Sequence, residues 1–120
     1  MATTRTVLGT TTYGVPSGNY DGSSMDWLSD AVQAADYYRG YGGLQTMTFV
    51  LSDFVGIIYV EASLDEIPAD ANYSLVYTLG DSSTAMSGTY APSLVGNFAW
   101  IRLRIDQFDG GTINSVTITY

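Results

Sequence analysis

The most regular feature of this sequence is an alternation of apolar and polar residues that begins near residue 44. Such period-two alternation is typical of β-strands with one face packed on a core and the other face turned outward. It predicts strands over 44–51, 57–64, 73–79, 98–106 and 112–120. In the first strand, for example, Met47, Phe49 and Leu51 are expected to point to the core.

Short turn signals separate these predicted strands. Asp109-Gly110-Gly111 stands between two well-patterned segments and therefore predicts a β-hairpin. Ser52-Asp53 is a weaker turn signal between the first two strands. Repeated strands joined by Gly-rich turns are typical of sandwiches and barrels. We therefore predict an all-β fold, an antiparallel β-sandwich of jelly-roll type with roughly seven or eight strands.

The first 43 residues are patterned less clearly. Residues 1–24 are rich in Thr, Gly and Ser, and they predict either an extended N-terminal arm or an edge strand. Residues 25–39 carry both a helical stripe and a weak strand alternation; the strand-like surroundings favour an extended conformation, with a short helix as the alternative. The predicted organisation is an arm, loop or edge strand over 1–24 and a single β-sandwich domain over 25–120.

Composition narrows the chemistry that such a domain can perform. The 120 residues include no His, no Cys and no Lys, and twelve carboxylates against four arginines give a formal net charge of -8. These absences exclude Ser-His-Asp catalysis, thiolate and Schiff-base chemistry, and nearly all transition-metal sites. The acidic balance disfavours nucleic acid and anionic membranes as partners. We expect no cofactor, no metal site and no catalytic residue, so the chain is predicted not to be an enzyme.

The chemistry that the sequence does offer lies in arginine and aromatic side chains. Arg102 and Arg104 share one face of a predicted strand with Phe98 and Trp100. Aromatic and arginine side chains together are typical of protein interfaces, and they also bind acidic partners or sugars. The commoner arrangement is that such arginines pair with carboxylates on a neighbouring strand. The carboxylates in question here are Glu61 and Asp65.

A second aromatic group surrounds a Gly-rich turn. Tyr37, Tyr38 and Tyr41 flank Arg39 and would form a platform for a protein or a glycan, although packing at the rim of a sandwich is the commoner role. The complete candidate interface is Trp27, Tyr37, Tyr38, Arg39, Tyr41, Phe98, Trp100, Arg102 and Arg104.

Several phrases in residues 37–120 resemble small β-rich virion proteins of tailed bacteriophages, of the marine and cyanobacterial phage type. They are GLQTMTF (43–49), FVGIIYVEASL (54–64), Pro68, GNFAWIR (96–102) and GGTINSV (110–116). The resemblance implies a structural, non-enzymatic role in a virion that is assembled in the host cytoplasm. It carries no catalytic motif over to numbered residues.

The resemblance leads to a hypothesis of a small head-decoration protein that cements the capsid. Tail, neck or baseplate accessory proteins are the alternatives, and a carbohydrate- or receptor-binding module is a further alternative. The expected partners are the major capsid or tail protein and other copies of the chain as a homo-oligomer, with a glycan for the last alternative. An N-terminal arm lying on a neighbouring subunit would favour this hypothesis, and an arm folded onto its own sheet would weaken it.

Overall fold

Eight antiparallel β-strands form one sheet in the computed structural model, which describes residues 3–35, 43–65, 68–69 and 72–120. These described ranges contain no α-helix, and therefore no helix long and apolar enough to cross a membrane. The all-β, antiparallel prediction is confirmed. The strands are β1 (Thr4–Leu8), β2 (Thr11–Thr12), β3 (Trp27–Leu28), β4 (Val32–Gln33), β5 (Leu44–Ser63), β6 (Ser74–Tyr90), β7 (Ser93–Val95) and β8 (Trp100–Thr119).

Two long strands, β5 and β8, lie side by side in the middle of the sheet. β6 and β7 pair with the free edge of β5. The free edge of β8 pairs with the four short strands β1, β2, β3 and β4, all antiparallel to it. β1 pairs with the C-terminal end of β8 and β4 with its N-terminal end. The sheet thus consists of four long rows, of which the two outer rows are interrupted.

The long strands bend strongly near their middle. Twenty residues of extended strand would span about 66 Å at about 3.3 Å per residue, but the longest dimension of the molecule is 39 Å. The pairing of β5 with β8 shifts register between Ser52 and Ile57. Asp53 and Gln107 have positive φ angles of 52° and 53° there. Bulges of this kind bend a strand and increase its twist, so they explain the curvature.

The predicted hairpin at Asp109-Gly110-Gly111 is wrong, because these residues lie inside the continuous strand β8. Ser52-Asp53 likewise lies inside β5. Gly111 has a φ angle of 78°, and a Cβ atom there would overlap the backbone oxygen of Asp53 on the neighbouring strand. These glycine-containing segments therefore allow the backbones of β5 and β8 to come close together where both strands bend. They do not reverse the direction of the chain.

The curvature brings the two ends of β8 towards each other. Arg5 Nε donates a hydrogen bond of 2.8 Å to Tyr120 Oη, just after the end of β8. Tyr120 Oη in turn donates to the carbonyl oxygen of Gln33 at 3.1 Å, and Gln33 pairs with Trp100 at the start of β8. The rings of Phe49 and Tyr77, which come from opposite halves of their rows, stack at 6.2 Å. The inner surface of the curved sheet therefore encloses one cluster of buried side chains.

The alternation predicts most of this core correctly. Met47, Phe49 and Leu51 are buried, as the sequence pattern indicates. Two leucines depart from the alternation. Leu64 would share the buried face of Val60, but it follows the end of β5 and is 68% exposed. Leu75 would share a face with Leu79. A register shift between Val60 and Glu61 turns Leu75 outward, and it is 54% exposed, whereas Leu79 is buried.

The N-terminal segment is an edge strand in this structure. Thr4 pairs with Thr119 and Thr6 with Thr117, so β1 lies on its own chain and an extended arm is not confirmed. The extended conformation expected within 25–39 is confirmed for the four residues of β3 and β4. No short helix occurs in 25–35; residues 36–39 lie outside the described ranges.

An aromatic group, here called the bend cluster, fills the inside of the sheet where the strands bend. The ring of Phe108 lies 5.1 Å from Tyr20, 5.6 Å from Phe54 and 6.2 Å from Trp27. Tyr13 meets the same ring edge-on at 5.6 Å. Rings at these separations add attraction to the apolar area that they bury, so the cluster ties the 13–26 loop to the bend.

Candidate functional site

The arginines of β8 project from the outer surface of the sheet. Ile101, Leu103 and Ile105 are fully buried, so the alternating residues Arg102 and Arg104 point away from the core. In the neighbouring strand β5, Glu61 stands opposite Arg102 and Tyr59 stands opposite Arg104. We call this surface the arginine face. It comprises Tyr59, Glu61, Tyr73, Arg102 and Arg104.

Glu61 holds both arginines. Arg102 Nε donates to Glu61 Oε1 at 2.9 Å, and Arg104 Nε lies 3.6 Å from Glu61 Oε2. The side chains of Arg102 and Glu61 are only 12% and 14% exposed, whereas that of Arg104 is 42% exposed. The interpretation that the arginines pair with a carboxylate on a neighbouring strand is thus confirmed for Glu61. The other candidate, Asp65, accepts a hydrogen bond from Asn72 Nδ2 at 2.6 Å.

Each guanidinium also lies over a tyrosine ring. Arg102 Cζ is 3.9 Å from the centre of the Tyr73 ring, and Arg104 Cζ is 4.4 Å from that of Tyr59. The negative face of an aromatic ring attracts a cation, and a planar guanidinium stacks well on it. Arg102 is therefore held by both a hydrogen bond and a ring, whereas Arg104, whose Nε has no hydrogen-bond partner among the described residues, is positioned by its stacking on Tyr59 and by the nearby carboxylate. The arginine face is therefore a preorganised surface.

A groove of about 470 Å³ runs beside these arginines. Its polar lining includes the side chains of three acidic residues, Asp26, Glu61 and Asp106, together with Arg102 and Arg104. Asp26 is fixed there, since its Oδ1 accepts a hydrogen bond of 3.0 Å from the backbone N–H of Gln107. Such a mixture of acceptors and donors suits a neutral polar ligand, for example a sugar, better than a strongly charged one.

Trp100 is a further candidate on the outer side of β8. It opens β8 and stands opposite Gln33 and Ser63, on the same side of the strand as the arginines. Phe98 precedes β8 and packs against the core, with its ring over Gly96. The prediction that Phe98 shares the arginine strand face is therefore not met, because the strand begins two residues later.

Trp27 also lines the groove beside Arg102 and Arg104, although most of its side chain packs inside the sheet. Trp27 is 8% exposed and belongs to the bend cluster, because its pairing with Ile105 turns its ring inward. Its ring lies 5.3 Å from that of Tyr20. Tyr37, Tyr38, Arg39 and Tyr41 lie outside the residues that the structure describes.

Sequence reasoning missed the two tyrosines that support the arginines. Tyr59 alternates with Ile58 and Val60, both buried, so its outward orientation was visible in the pattern. Its position under Arg104 depends on the register between β5 and β8, which alternation alone does not give. Tyr73 precedes β6, and no local signal connects it with Arg102.

Hydrogen bonds from neighbouring serines lower the pKa of two aspartates outside this surface. Hydrogen bonds from the hydroxyl and backbone N–H of Ser24, and from the N–H of Ser23, lower the pKa of Asp21 to about 2. The backbone and hydroxyl of Ser83 lower the pKa of Asp81 in the same way. Both aspartates cap turns. Among the described residues, no group of three acidic side chains is arranged to hold a metal ion.

A comparison with known protein families finds no family that matches this chain, and a search of curated proteins finds no significant relative.

Proposed function

We propose that this chain is a non-enzymatic structural protein of a tailed-phage virion, and within that class a small head-decoration protein. In that role its partners are the major capsid protein and further copies of itself. It would be assembled into the virion in the host cytoplasm. A tail, neck or baseplate accessory protein that contacts the tail protein is the alternative within the same class.

The observation that carries this proposal is the set of contacts that position the two arginines of the arginine face. Arg102 and Arg104 are engaged with Glu61 and with two tyrosine rings, which makes a firm contact surface. Firm aromatic and arginine side chains are typical of the centres of protein interfaces. The phrases that resemble virion proteins also fall mainly on β5 and β8, the two central strands.

The N-terminal segment changes the form of the proposal. β1 pairs with β8 of its own chain. Attachment to a neighbouring subunit through an N-terminal arm is therefore no longer an argument for the virion hypothesis. Attachment then has to use the outer faces of the sheet. Such contacts are ordinary face-to-face interfaces, whose strength depends on shape and on a few central side chains.

The finer architecture belongs to the same proposal. We propose that the curved sheet is folded across its bend into two packed layers, a β-sandwich of jelly-roll type. The hydrogen bonds that join Arg5, Tyr120 and Gln33, and the stacking of Phe49 on Tyr77, support two layers around one core.

Purified particles of the phage that encodes this chain provide the test. Mass spectrometry should detect the chain in the particles, and electron cryomicroscopy should place many copies over the head. A few copies at one end of the particle would favour the tail alternative. Absence of the chain from purified particles would overturn the proposal.

A second candidate function, carbohydrate or receptor binding, is favoured by the groove beside Arg104. A glycan array followed by titration of any hit tests it. Asp106→Asn, which changes the groove lining, should weaken binding at least tenfold, while Asp109→Asn, further along β8 and outside the groove, should leave it unchanged. A blank array, or equal effects of the two variants, would contradict this candidate.

A further inference from the structure

The other half of the long strands presents an outer surface of a different kind. Where Met47 and Ile118 point into the core, the residues on either side of them point outward, and all four are threonines. We call this surface the neutral face, and its centre consists of Thr4, Thr6, Thr46, Thr48, Thr117 and Thr119. They form two rows across β1, β8 and β5, with three threonines in each row.

The hydroxyl groups of this surface are partly satisfied within the surface itself. Thr4 Oγ1 and Thr119 Oγ1 are 3.0 Å apart, and Thr46 Oγ1 and Ser93 Oγ are 2.8 Å apart. Burying a hydroxyl is costly when its hydrogen bond is lost and much less so when the bond is kept. Another protein surface could therefore cover the row of Thr4, Thr119 and Thr46 without supplying partners for its hydroxyl groups.

An exposed apolar pair extends the neutral face at one end. Leu44 and Val95 stand opposite each other on β5 and β7, directly beside Thr46 and Ser93, and they are 58% and 81% exposed. Covering this pair would remove apolar surface from water, which favours association at this end of the neutral face.

The distribution of charge decides which surface of this chain a second copy can approach. The chain carries a net charge of -8, so two copies repel each other at long range. None of the described residues at the outward positions of the neutral face is charged, whereas the arginine face and its groove hold Glu61, Asp26 and Asp106. A second copy of this chain can therefore approach the neutral face without bringing carboxylates into contact.

The size of the neutral face is sufficient for a weak to moderate dimer. Nine residues of β5 (44–52) give a length of about 30 Å, and four neighbouring strands give a width of about 19 Å. Contact between two such faces would cover about 1,100 Å² in total, slightly above the roughly 1,000 Å² that a specific interface needs.

We propose that two copies of this chain associate through the neutral face, with the same residues contributed by each copy around a twofold axis. This inference rests on the distribution of charge and hydroxyl groups and not on the proposed role in a virion. If the chain occurs in virions but is monomeric in solution at all concentrations, the inference fails and the proposed function is unaffected.

Sedimentation velocity of the full-length chain tests this proposal. The expected result is a monomer–dimer equilibrium that strengthens between about 50 mM and about 500 mM NaCl, because salt screens the repulsion between the two copies. Association through arginine–carboxylate pairs would weaken with salt and would contradict the proposal. A monomer throughout the accessible concentration range at high salt would also overturn it.

Matched variants locate the contact. Thr48→Glu and Thr48→Arg should each raise the dimer Kd at least tenfold, because either charge would be buried unpaired at the centre of the neutral face. Thr78→Glu and Thr78→Arg, on the outer surface opposite Tyr59, should leave the Kd within about twofold. If the arginine variant at position 48 instead strengthens the dimer, net charge alone governs association and the proposal is wrong. Thermal unfolding checks the fold, and Thr117→Arg repeats the test if the Thr48 variants are unstable.

Discussion

The neutral face and the arginine face are built from opposite halves of the same two central strands. On the neutral face, threonines pair with threonines across the strands and no described side chain is charged. On the arginine face, Glu61 is bracketed by Arg102 and Arg104 at distances of 2.9 and 3.6 Å. The same alternation therefore produces two outer surfaces that differ in charge. It requires apolar residues only on the buried face and places no such requirement on the outward residues.

The largest expected loss of stability comes from the bend cluster, which lies between the two halves of the long strands. Phe108 is fully buried in the bend cluster, and Phe108→Ala should lower the free energy of unfolding by about 3–5 kcal/mol through lost packing and a residual cavity. Urea denaturation measures this loss. Tyr13→Ala, which removes a ring that is 45% exposed, should cost about 1 kcal/mol. A loss of about 1 kcal/mol or less for Phe108→Ala would show that the bend cluster does not support the fold.

The next effect tests the arginine face. Glu61→Gln removes the negative charge that holds Arg102, whose side chain is 12% exposed, and should cost about 2 kcal/mol of unfolding free energy. The same denaturation assay measures it. A loss below about 0.5 kcal/mol would mean that the pair adds nothing to stability, as is common for exposed ion pairs.

The corresponding change on the neutral face should have a smaller effect. Thr48→Val keeps the β-branched shape and removes only a hydroxyl, so unfolding free energy should change by no more than about 0.5 kcal/mol. Sedimentation should show association at least as strong as in the wild type. Weaker association would indicate that the Thr48 hydroxyl forms a hydrogen bond with the second copy.

The smallest expected effect is a pH dependence that belongs to neither face. The pKa of Asp21 in the folded chain, about 2, is below its ordinary value of 3.8, so the stabilisation from its ionised form is complete above about pH 4. It is lost as the pH falls from there through 2. A carboxyl titration by NMR should give the low pKa in the wild type, and Asp21→Asn should reduce the loss of stability in this pH window. A titration near the ordinary value would contradict the hydrogen bonding to Ser23 and Ser24.

The sequence predicted which residues are buried better than it predicted where strands end. The period-two pattern correctly assigned Met47 and Phe49 to the core, because burial on one face of a strand leaves a local signature. Asp109-Gly110-Gly111 carries the composition of a hairpin turn, but the same residues serve a bulge in a continuous strand. The distinction depends on the neighbouring strand, here on the close approach of Gly111 to Asp53.

The candidate site was predictable only in part for the same reason. The shared face of Arg102 and Arg104 follows from their spacing, and Glu61 was among the carboxylates considered. The stacking of the arginines on Tyr59 and Tyr73 depends on the register between strands far apart in sequence. The neutral face was missed altogether, since its threonines come from three separate strands and form rows only once those strands are paired.

The most direct test of the different roles of the two faces uses the absence of cysteine from the chain. A single thiol is introduced by Thr117→Cys on the neutral face or by Thr78→Cys on the half that carries the arginine face, and its labelling rate is measured at low and high protein concentration in high salt. The thiol at position 117 should become protected from labelling as protein concentration rises, while the thiol at position 78 should react at a constant rate. Protection at position 78 and not at position 117, or at neither, would contradict the different roles of the two faces.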